Sequence, residues 1–264
     1  MGELHLSDLV VTGARSSSGK AAAIGEELAA HLGIPFVERR SDTVKALTHR
    51  QGVAAAIVVE AQRIRLVRNG RSYGFHPSMA RHRIVALKAG GSDHFADAAQ
   101  LQPGDSVLDC SFGLGADAIV ASHIVGGRGL VLGLEVSPIL AAMVRCGMSH
   151  YDHSDAELVS AMRRIDVRHA DHTTLLPSLD TGSHDVVYFD PMFEKTFEAA
   201  RSLDLVRILA SRKPPDIAII AEARRVARRS VVVKDCAPGI LLDALGIPVV
   251  MTSRRRVWYG RLPA

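Results

Sequence analysis

The stretch LDCSFGLGADA, residues 108–118, contains the pattern that decides the predicted fold. Apolar residues 106–110 predict a buried strand, and a helix-like run follows the glycines. Gly113, Gly115 and Ala118 match G-x-G-x-x-G/A, in which glycines form the tight turn between the strand and the helix of a βαβ unit. Strand, turn and helix are therefore predicted in this order, although the glycines alone do not select a ligand.

Strands and helices alternate from this turn toward the C-terminus. Strands are predicted at residues 130–136, 165–168, 185–189 and 230–234, and Ser137 with the proline after it is typical of a helix start. The runs IPVVMTS and RRVWYGRL predict two last strands, which are joined too closely for a crossover helix and must be antiparallel. The pattern predicts an α/β fold with a seven-stranded, doubly wound sheet that ends in an antiparallel hairpin.

The N-terminal part of the chain is organised separately. LVVTG and the helix-like KAAAIGEELAAHLG after it predict a strand and a helix, and Asn69-Gly70 between two alternating runs predicts a β-hairpin. We therefore predict a small N-terminal α/β domain over residues 1–75 and a larger domain over residues 76–264.

The composition is typical of a globular protein. Of the 264 residues 47% are hydrophobic, no apolar run approaches the roughly 18 residues of a membrane span, and the N-terminus lacks the features of a signal peptide. Three cysteines and scattered histidines show no spacing typical of a disulfide framework or a metal site. We predict a cytoplasmic protein without membrane contact and without a metal, and the sequence does not indicate its oligomeric state.

Arginines cluster along the chain, although the net charge is only +4. Such clusters suit a partner that bears phosphates, because each neutralised phosphate releases counterions. For any one cluster a solvated protein surface is the simpler interpretation, but together they favour nucleic acid as the partner. The clusters are Arg63, Arg65, Arg68 and Arg71; Arg81 and Arg83; Arg224, Arg225, Arg228 and Arg229; and Arg254, Arg255 and Arg256.

Three acids at or just after the ends of predicted strands indicate the ligand. Asp109 directly precedes the glycine turn, where a carboxylate would repel a dinucleotide diphosphate but attract an ammonium group. S-adenosylmethionine (SAM) carries an amino-acid moiety and no phosphate. Glu135 ends the next strand, where an acid can bind both ribose hydroxyls, and Asp171 is placed to meet the adenine. A helix cap or a surface charge is the alternative for each acid alone.

The stretch DVVYFDPMF, residues 185–193, predicts a strand that stops at Asp190, because Pro191 lacks a ladder N–H. An exocyclic amine on a nucleobase is a weak nucleophile, and an acid and a carbonyl that accept its two hydrogens favour its attack. We therefore predict that Asp190 and the Pro191 carbonyl bind the amine and that Phe193 stacks on the base. The alternative is an ordinary loop made rigid by proline.

At these residues the sequence resembles a known family. VLDCSFGLGADA, GLEVSP, DVVYFDPMF and RSVVVKD are similar to motifs of class I methyltransferases, and more closely to those of methyltransferase J, which methylates guanine N2 in small-subunit ribosomal RNA. The resemblance covers roughly residues 76–261. It implies a Rossmann-like class I methyltransferase fold, SAM as cofactor and ribosomal RNA or the small ribosomal subunit as partner. Glu194 and Lys195 depart from the family pattern, and so does the N-terminal region.

Together, motifs and resemblance predict a set of site residues. The catalytic residues are Asp190, Pro191 and Phe193. The cofactor-binding residues are Asp109, Phe112, Gly113, Gly115, Asp117, Glu135, Val136, Asp171 and His172. The substrate-binding residues are Met192, Lys234, Arg81 and Arg83.

Other functions compete with this interpretation. A nicotinamide-dependent dehydrogenase would share the glycine turn, but Asp109 disfavours it. A non-catalytic RNA-binding or ribosome-assembly protein could keep the fold without turnover. Among methyltransferases, adenine N6, DNA or a small amine remain open as targets, because one tetrapeptide does not distinguish planar amines.

Overall fold

The computed structural model describes residues 4–14, 19–60, 63–191, 209, 214–254 and 256–264. The predicted site residues Met192 and Phe193 and the cluster residue Arg255 lie outside them. The described residues up to His76 form one compact unit together with Ser137–Ser154 and Leu209, and the other described residues form a second unit. The predicted domain boundary after residue 75 stays a prediction.

The first unit contains a four-stranded sheet, β1 (Leu9–Gly13), β2 (Ala55–Glu60), β3 (Arg63–Arg68) and β4 (Arg71–Gly74), in the order β1-β2-β3-β4. Strand β1 is parallel to β2, and the other neighbours are antiparallel. The predicted hairpin at Asn69-Gly70 is confirmed: both residues have positive φ, 50° and 74°, as the two-residue turn requires. Helices of this unit are α1 (Gly19–Leu32), α2 (Val44–Gln51) and α6 (Pro138–His150), which packs on α1 and β3.

The second unit contains the predicted seven-stranded sheet. Its strands are β5 (Ser106–Asp109), β6 (Leu130–Glu135), β7 (Ile165–His169), β8 (His184–Phe189), β9 (Ala227–Cys236), β10 (Val249–Thr252) and β11 (Val257–Pro263). They lie in the order β10-β11-β9-β8-β5-β6-β7, and β11 is antiparallel to both of its neighbours, β9 and β10. The pairs formed among β5 to β9 are parallel. The prediction of a doubly wound sheet closed by an antiparallel hairpin is confirmed.

Helices precede these strands or lie between them, and several begin at a side-chain cap. In the second unit they are α3 (Ser78–Lys88), α4 (His94–Ala99), α5 (Ala116–Val125), α7 (Ala156–Arg163), α8 (His172–Leu175), α9 (Ile217–Val226) and α10 (Ile240–Ala244). The Ser137 hydroxyl accepts the N–H of Leu140 at 3.3 Å and Pro138 occupies the first turn of α6, as predicted. Fully buried Leu108, Val187 and Val231 form part of the core of the sheet.

The arginines of the basic run at residues 224–229 form contacts within the protein. Arg225 donates to the carbonyls of Leu176 and Leu179, and Arg229 pairs with Asp105 at 2.5 Å. Arg228 forms two hydrogen bonds with Asp185, at 2.7 and 2.9 Å. These contacts join the amino ends of β5, β8 and β9, at the edge opposite to the predicted site. This cluster therefore gives no support to nucleic-acid binding.

Replacing Arg228 with methionine is expected to lower the free energy of unfolding at neutral pH by less than about 1 kcal/mol, because the pair is partly exposed. The hydrogen bond from Arg228 lowers the pKa of Asp185 to about 2, whereas an unfolded chain has ~3.9. The pair therefore stabilises the fold above about pH 4, and this contribution is lost as the pH falls through about 2.

Urea unfolding across this pH range measures the effect of the Arg228 substitution. Arg168→Met, which breaks an exposed pair with Asp166, is the matched control. If the free energy of unfolding lost in Arg228→Met did not become smaller in acid, this stabilisation could not be assigned to the ion pair.

Candidate active site

Acidic side chains meet at the carboxyl edge of the seven-stranded sheet. Asp109 ends β5 and Glu135 ends β6, while Asp190 follows β8, which neighbours β5 on its other side. Asp109 lies in register with Tyr188 on β8. In open α/β sheets this edge is where ligands bind. Three of the acids that the sequence predicts to be functional are therefore placed along one edge by parallel strands.

The glycine turn joins β5 to α5 and contacts the acid of the next strand. Gly113 and Gly115 have φ values of 55° and 71°, in the left-handed region that favours glycine. The N–H of Gly113 donates to Oε2 of Glu135 at 3.0 Å, and the N–H of Phe112 donates to the carbonyl of Leu134 at 3.0 Å. The turn is thus held against the end of β6, with Glu135 beside it.

Asp109 is a buried acid in a negative environment. Its side chain is almost inaccessible, at 2% exposure of the residue, and Oδ1 accepts the N–H of Ser111 at 3.0 Å. Burial raises the pKa of Asp109 well above its ordinary value; Asp117 and Asp190 raise it further, while Lys234 and the Ser111 hydrogen bond lower it. A cationic group placed beside Asp109 would relieve this cost, so the position suits an ammonium group.

Phe112 packs directly over Gly133 of β6. A Cβ added at Gly133 would lie 2.0 Å from Cδ2 of the Phe112 ring, which is itself buried. Gly133→Ala is therefore expected to displace the ring and destabilise the protein by about 1–3 kcal/mol. Because Phe112 belongs to the glycine turn, we also expect weaker SAM binding. Urea unfolding and calorimetric titration with SAM measure the two effects.

Gly127→Ala is the matched control for that substitution, because a Cβ at Gly127 meets nothing within 4 Å. We expect its stability and SAM affinity to equal those of the unmodified protein. A Gly133→Ala protein that also behaves like the unmodified chain would show that the ring adapts without cost.

Three more residues predicted to bind the cofactor, Val136, Asp171 and His172, follow β6 and β7. Oδ1 of Asp171 accepts both the N–H and the hydroxyl of Thr173 at 2.8 Å, so Asp171 caps α8. The His172 ring packs edge-on to Phe189, with 5.5 Å between ring centroids. Val136, directly after Glu135, is exposed. Asp171 thus has the capping role that was its alternative interpretation. Its contact with adenine, and contact of Val136 and His172 with SAM, stay predictions.

Asp190 is held from two sides. Its N–H donates to the hydroxyl of Ser111, and its Oδ2 accepts Nζ of Lys234 at 2.7 Å. Pro191 after it is buried. Ser111 therefore ties the glycine turn to the predicted catalytic segment, a role that the sequence analysis missed. A hydroxyl at the start of a ligand-binding turn was the available signal.

Lys234, which contacts Asp190, belongs to a network of charged side chains. Arg83 forms two hydrogen bonds with Asp93, at 2.6 and 2.8 Å, and one with Asp117 at 2.5 Å. Oδ2 of Asp117 accepts the hydroxyl of Tyr188 at 2.9 Å and Nζ of Lys234 at 3.1 Å. Asp117, predicted to bind the cofactor, therefore contacts both Arg83 and Lys234, which are predicted to bind substrate.

These contacts determine whether Asp117 and Lys234 are charged. Burial alone would raise the pKa of Asp117, but Lys234 and Arg83 lower it well below its ordinary value. Burial alone would lower the pKa of Lys234, but Asp117 and Asp190 raise it well above its ordinary value. Asp117 and Lys234 are therefore both charged at neutral pH. Arg81, the remaining predicted substrate residue, is exposed on α3.

None of the helices in the described part of the chain has the length and apolarity needed to cross a bilayer. Among the same residues, histidine, cysteine and acidic side chains form no group arranged to hold a metal ion. The observed donors and acceptors fit SAM: a buried acid for an ammonium group, an acid at the end of β6 for hydroxyls, and a glycine turn between them.

Comparisons with known proteins identify the family of this chain. The sequence model of a family described as "Putative SAM-dependent methyltransferase" matches residues 42–257. The uncharacterized protein YpiP of Bacillus subtilis is 35% identical over 236 residues, which are 89% of this chain and 91% of that protein. The ribosomal RNA small subunit methyltransferase J of Cronobacter sakazakii is 36% identical over 164 residues, which are 60% of this chain and 64% of that enzyme.

A solved structure shows the same fold. The SAM-dependent methyltransferase of Neisseria gonorrhoeae superposes with a TM-score of 0.64 at 17% identity, over 96% of this chain and 95% of its own. These comparisons confirm the predictions of a Rossmann-like methyltransferase sheet, of SAM as cofactor and of methyltransferase activity. The alternative of a nicotinamide-dependent dehydrogenase is therefore rejected. This chain belongs to the family of SAM-dependent methyltransferases.

Proposed function

We propose that this methyltransferase acts on an exocyclic amine of a nucleobase, with guanine N2 in small-subunit ribosomal RNA as the first candidate. The observation that carries the proposal is the placement of Asp190-Pro191. The pair follows β8 directly, next to the strand that ends in Asp109, and Asp190 is held there by Ser111 and Lys234.

The chemistry requires little from the protein beyond positioning. An exocyclic amine has its lone pair delocalised into the base. In our proposal the Asp190 carboxylate accepts one amine hydrogen and the Pro191 carbonyl accepts the other, so that the lone pair turns toward the methyl donor. Bound SAM supplies a methyl group on a sulfonium, a good leaving group. The nitrogen gains the methyl group and loses one proton, for which Asp190 is the nearest proposed acceptor.

Except for Asp117, the predicted cofactor-binding residues keep that role as part of the proposal. Asp109 binds the ammonium group, because it is buried among other acids. Glu135 binds the ribose hydroxyls from its place beside Gly113. Asp171 borders the adenine, and Val136 and His172 also contact SAM. Phe193 is proposed to stack on the target base and Met192 to contact it, both from positions outside the described residues.

Support for the substrate comes from the relatives. Methyltransferase J, which this chain matches over 64% of that enzyme's length, is named for ribosomal RNA of the small subunit. Arginines of the N-terminal hairpin, Arg63 and Arg71, are exposed, as a surface for RNA phosphates requires. RNA of the small subunit as partner and a cytoplasmic location therefore belong to the proposal.

The test is transfer of labelled methyl from SAM to naked ribosomal RNA and to small subunits isolated from a strain that lacks this gene. Nucleoside analysis of the labelled RNA is expected to yield N2-methylguanosine. Label in N6-methyladenosine would keep the enzyme class and change the base. Absence of label from both substrates, with SAM binding confirmed separately, would overturn the proposal and favour another amine or a non-catalytic role.

A further inference from the structure

Four charged side chains of alternating sign connect helix α3 with the proposed catalytic segment. Arg83 on α3 contacts Asp117 on α5 at 2.5 Å, Asp117 contacts Lys234 on β9 at 3.1 Å, and Lys234 contacts Asp190 after β8 at 2.7 Å. Arg83 is itself held by Asp93, the cap of α4. Four elements that are distant in sequence therefore meet in one ionic chain.

The ionic chain is buried enough for each of its ion pairs to affect the next. The side chains of Asp117 and Lys234 are only 9% and 18% exposed. Exposed ion pairs contribute little, but removal of one partner from a buried pair leaves an uncompensated charge. Asp117 is fully engaged, since Arg83, Tyr188 and Lys234 all donate to it. Lys234 is thus anchored on one side and bound to Asp190 on the other.

We propose that Arg83, Asp117 and Lys234 are positioning residues that orient Asp190 for methyl transfer and do not contact SAM or RNA. The proposal rests on the proposed function of Asp190. It replaces the roles that the sequence predicts for these three residues, namely substrate binding for Arg83 and Lys234 and cofactor binding for Asp117.

The geometry explains how the positioning works. Lys234 binds Oδ2 of Asp190, and Ser111 binds its N–H, so that both the carboxylate and the backbone have a defined orientation. The amine hydrogen is then accepted by Oδ1. A carboxylate that rotates freely would populate the productive orientation less often, and the cost would appear in kcat rather than in binding.

The charges around Asp190 also determine its protonation. The titratable groups that face it are Asp109 on β5, Asp117 on α5, Tyr188 on β8, Lys234 on β9 and Tyr259 on β11. Burial raises the pKa of Asp190, Lys234 lowers it and Asp117 raises it, with a net increase. Because Lys234 is the cation in contact with Asp190, its removal raises this pKa further.

The experiment compares Lys234→Met with Lys234→Arg, which keeps the charge. Lys88→Met is the matched control, because Lys88 also pairs with a carboxylate, Glu157, but at 3.2 Å and with 44% of its side chain exposed. The readouts are kcat and KM for RNA across pH, the Kd of SAM, and the pKa of Asp190 from carbon NMR of labelled aspartates, assigned with Asp190→Asn.

For Lys234→Met we expect kcat to fall about 10-fold to 100-fold, while KM for RNA and Kd for SAM change less than about two-fold. The acid limb of kcat and the NMR pKa of Asp190 move up by about one pH unit. Lys234→Arg restores most of the kcat, and Lys88→Met behaves like the unmodified enzyme.

A change in binding rather than in kcat would overturn the proposal. A higher KM for RNA at unchanged kcat makes Lys234 a substrate ligand, and a higher Kd for SAM makes it a cofactor ligand. If the unmodified enzyme methylates no RNA, the proposed function fails, but the NMR titration still decides the coupling: an upward shift supports the ionic chain, and an unchanged Asp190 pKa refutes it.

Discussion

Replacing Asp190 with asparagine is expected to lower kcat for methyl transfer by about 100-fold to 1000-fold, the range seen when one preorganised group at the reacting centre is removed. The Kd of SAM is expected to change less than about two-fold. The amide oxygen can still accept Nζ of Lys234, so the variant should fold. What it loses is the negative charge that draws an amine hydrogen and that can accept the proton released on methylation.

Three measurements separate this role from a structural one: single-turnover methyl transfer, calorimetric titration with SAM, and thermal unfolding. Asp166→Asn is the matched control, because Asp166 lies on β7 of the same sheet in an exposed pair with Arg168. We expect Asp166→Asn to retain full turnover. Equal losses of SAM binding and turnover in Asp190→Asn would instead place Asp190 in the cofactor site.

The sheet was predictable because its signals are local. Apolar runs of strand length alternate with capped helices, and two runs without room for a crossover must form a hairpin. Asn69-Gly70 predicts its turn for a similarly local reason, since both residues tolerate positive φ. Asp109, Glu135 and Asp190 could be predicted from the same signals, because each lies where a predicted strand ends.

The ionic chain was not predictable, because its links join residues without any local pattern. Arg83 and Asp117 are 34 residues apart, and Asp117 and Lys234 are 117 apart. The same limitation affected the basic run at residues 224–229. Composition suggested phosphate binding, whereas Arg228 and Arg229 bind acids at the amino ends of neighbouring strands. Charge clusters in a sequence do not reveal whether their partners lie within the same fold.

The burial of Asp109 favours binding of a cationic ligand at the expense of stability. In the unliganded protein burial raises the pKa of this acid, so the native state binds a proton more tightly than the unfolded state. The contribution of Asp109 to stability therefore falls as the pH rises from about 4, the unfolded value, toward the raised native value. An ammonium group bound beside Asp109 favours the carboxylate, so SAM affinity should increase with pH over the same interval.

Asp109→Asn is therefore expected to weaken SAM binding by about 100-fold, the loss of a charged hydrogen bond, without lowering the Tm of the unliganded protein. The amide oxygen still accepts the N–H of Ser111, and the pH-dependent cost of the buried acid is gone. Calorimetric titration with SAM in two buffers of different ionisation enthalpy should show proton release from the unmodified protein and none from the variant. If Asp109→Asn bound SAM as tightly as the unmodified chain, the ammonium group would have to lie elsewhere; if its Tm fell at every pH, Asp109 would be a structural acid whose burial the fold requires.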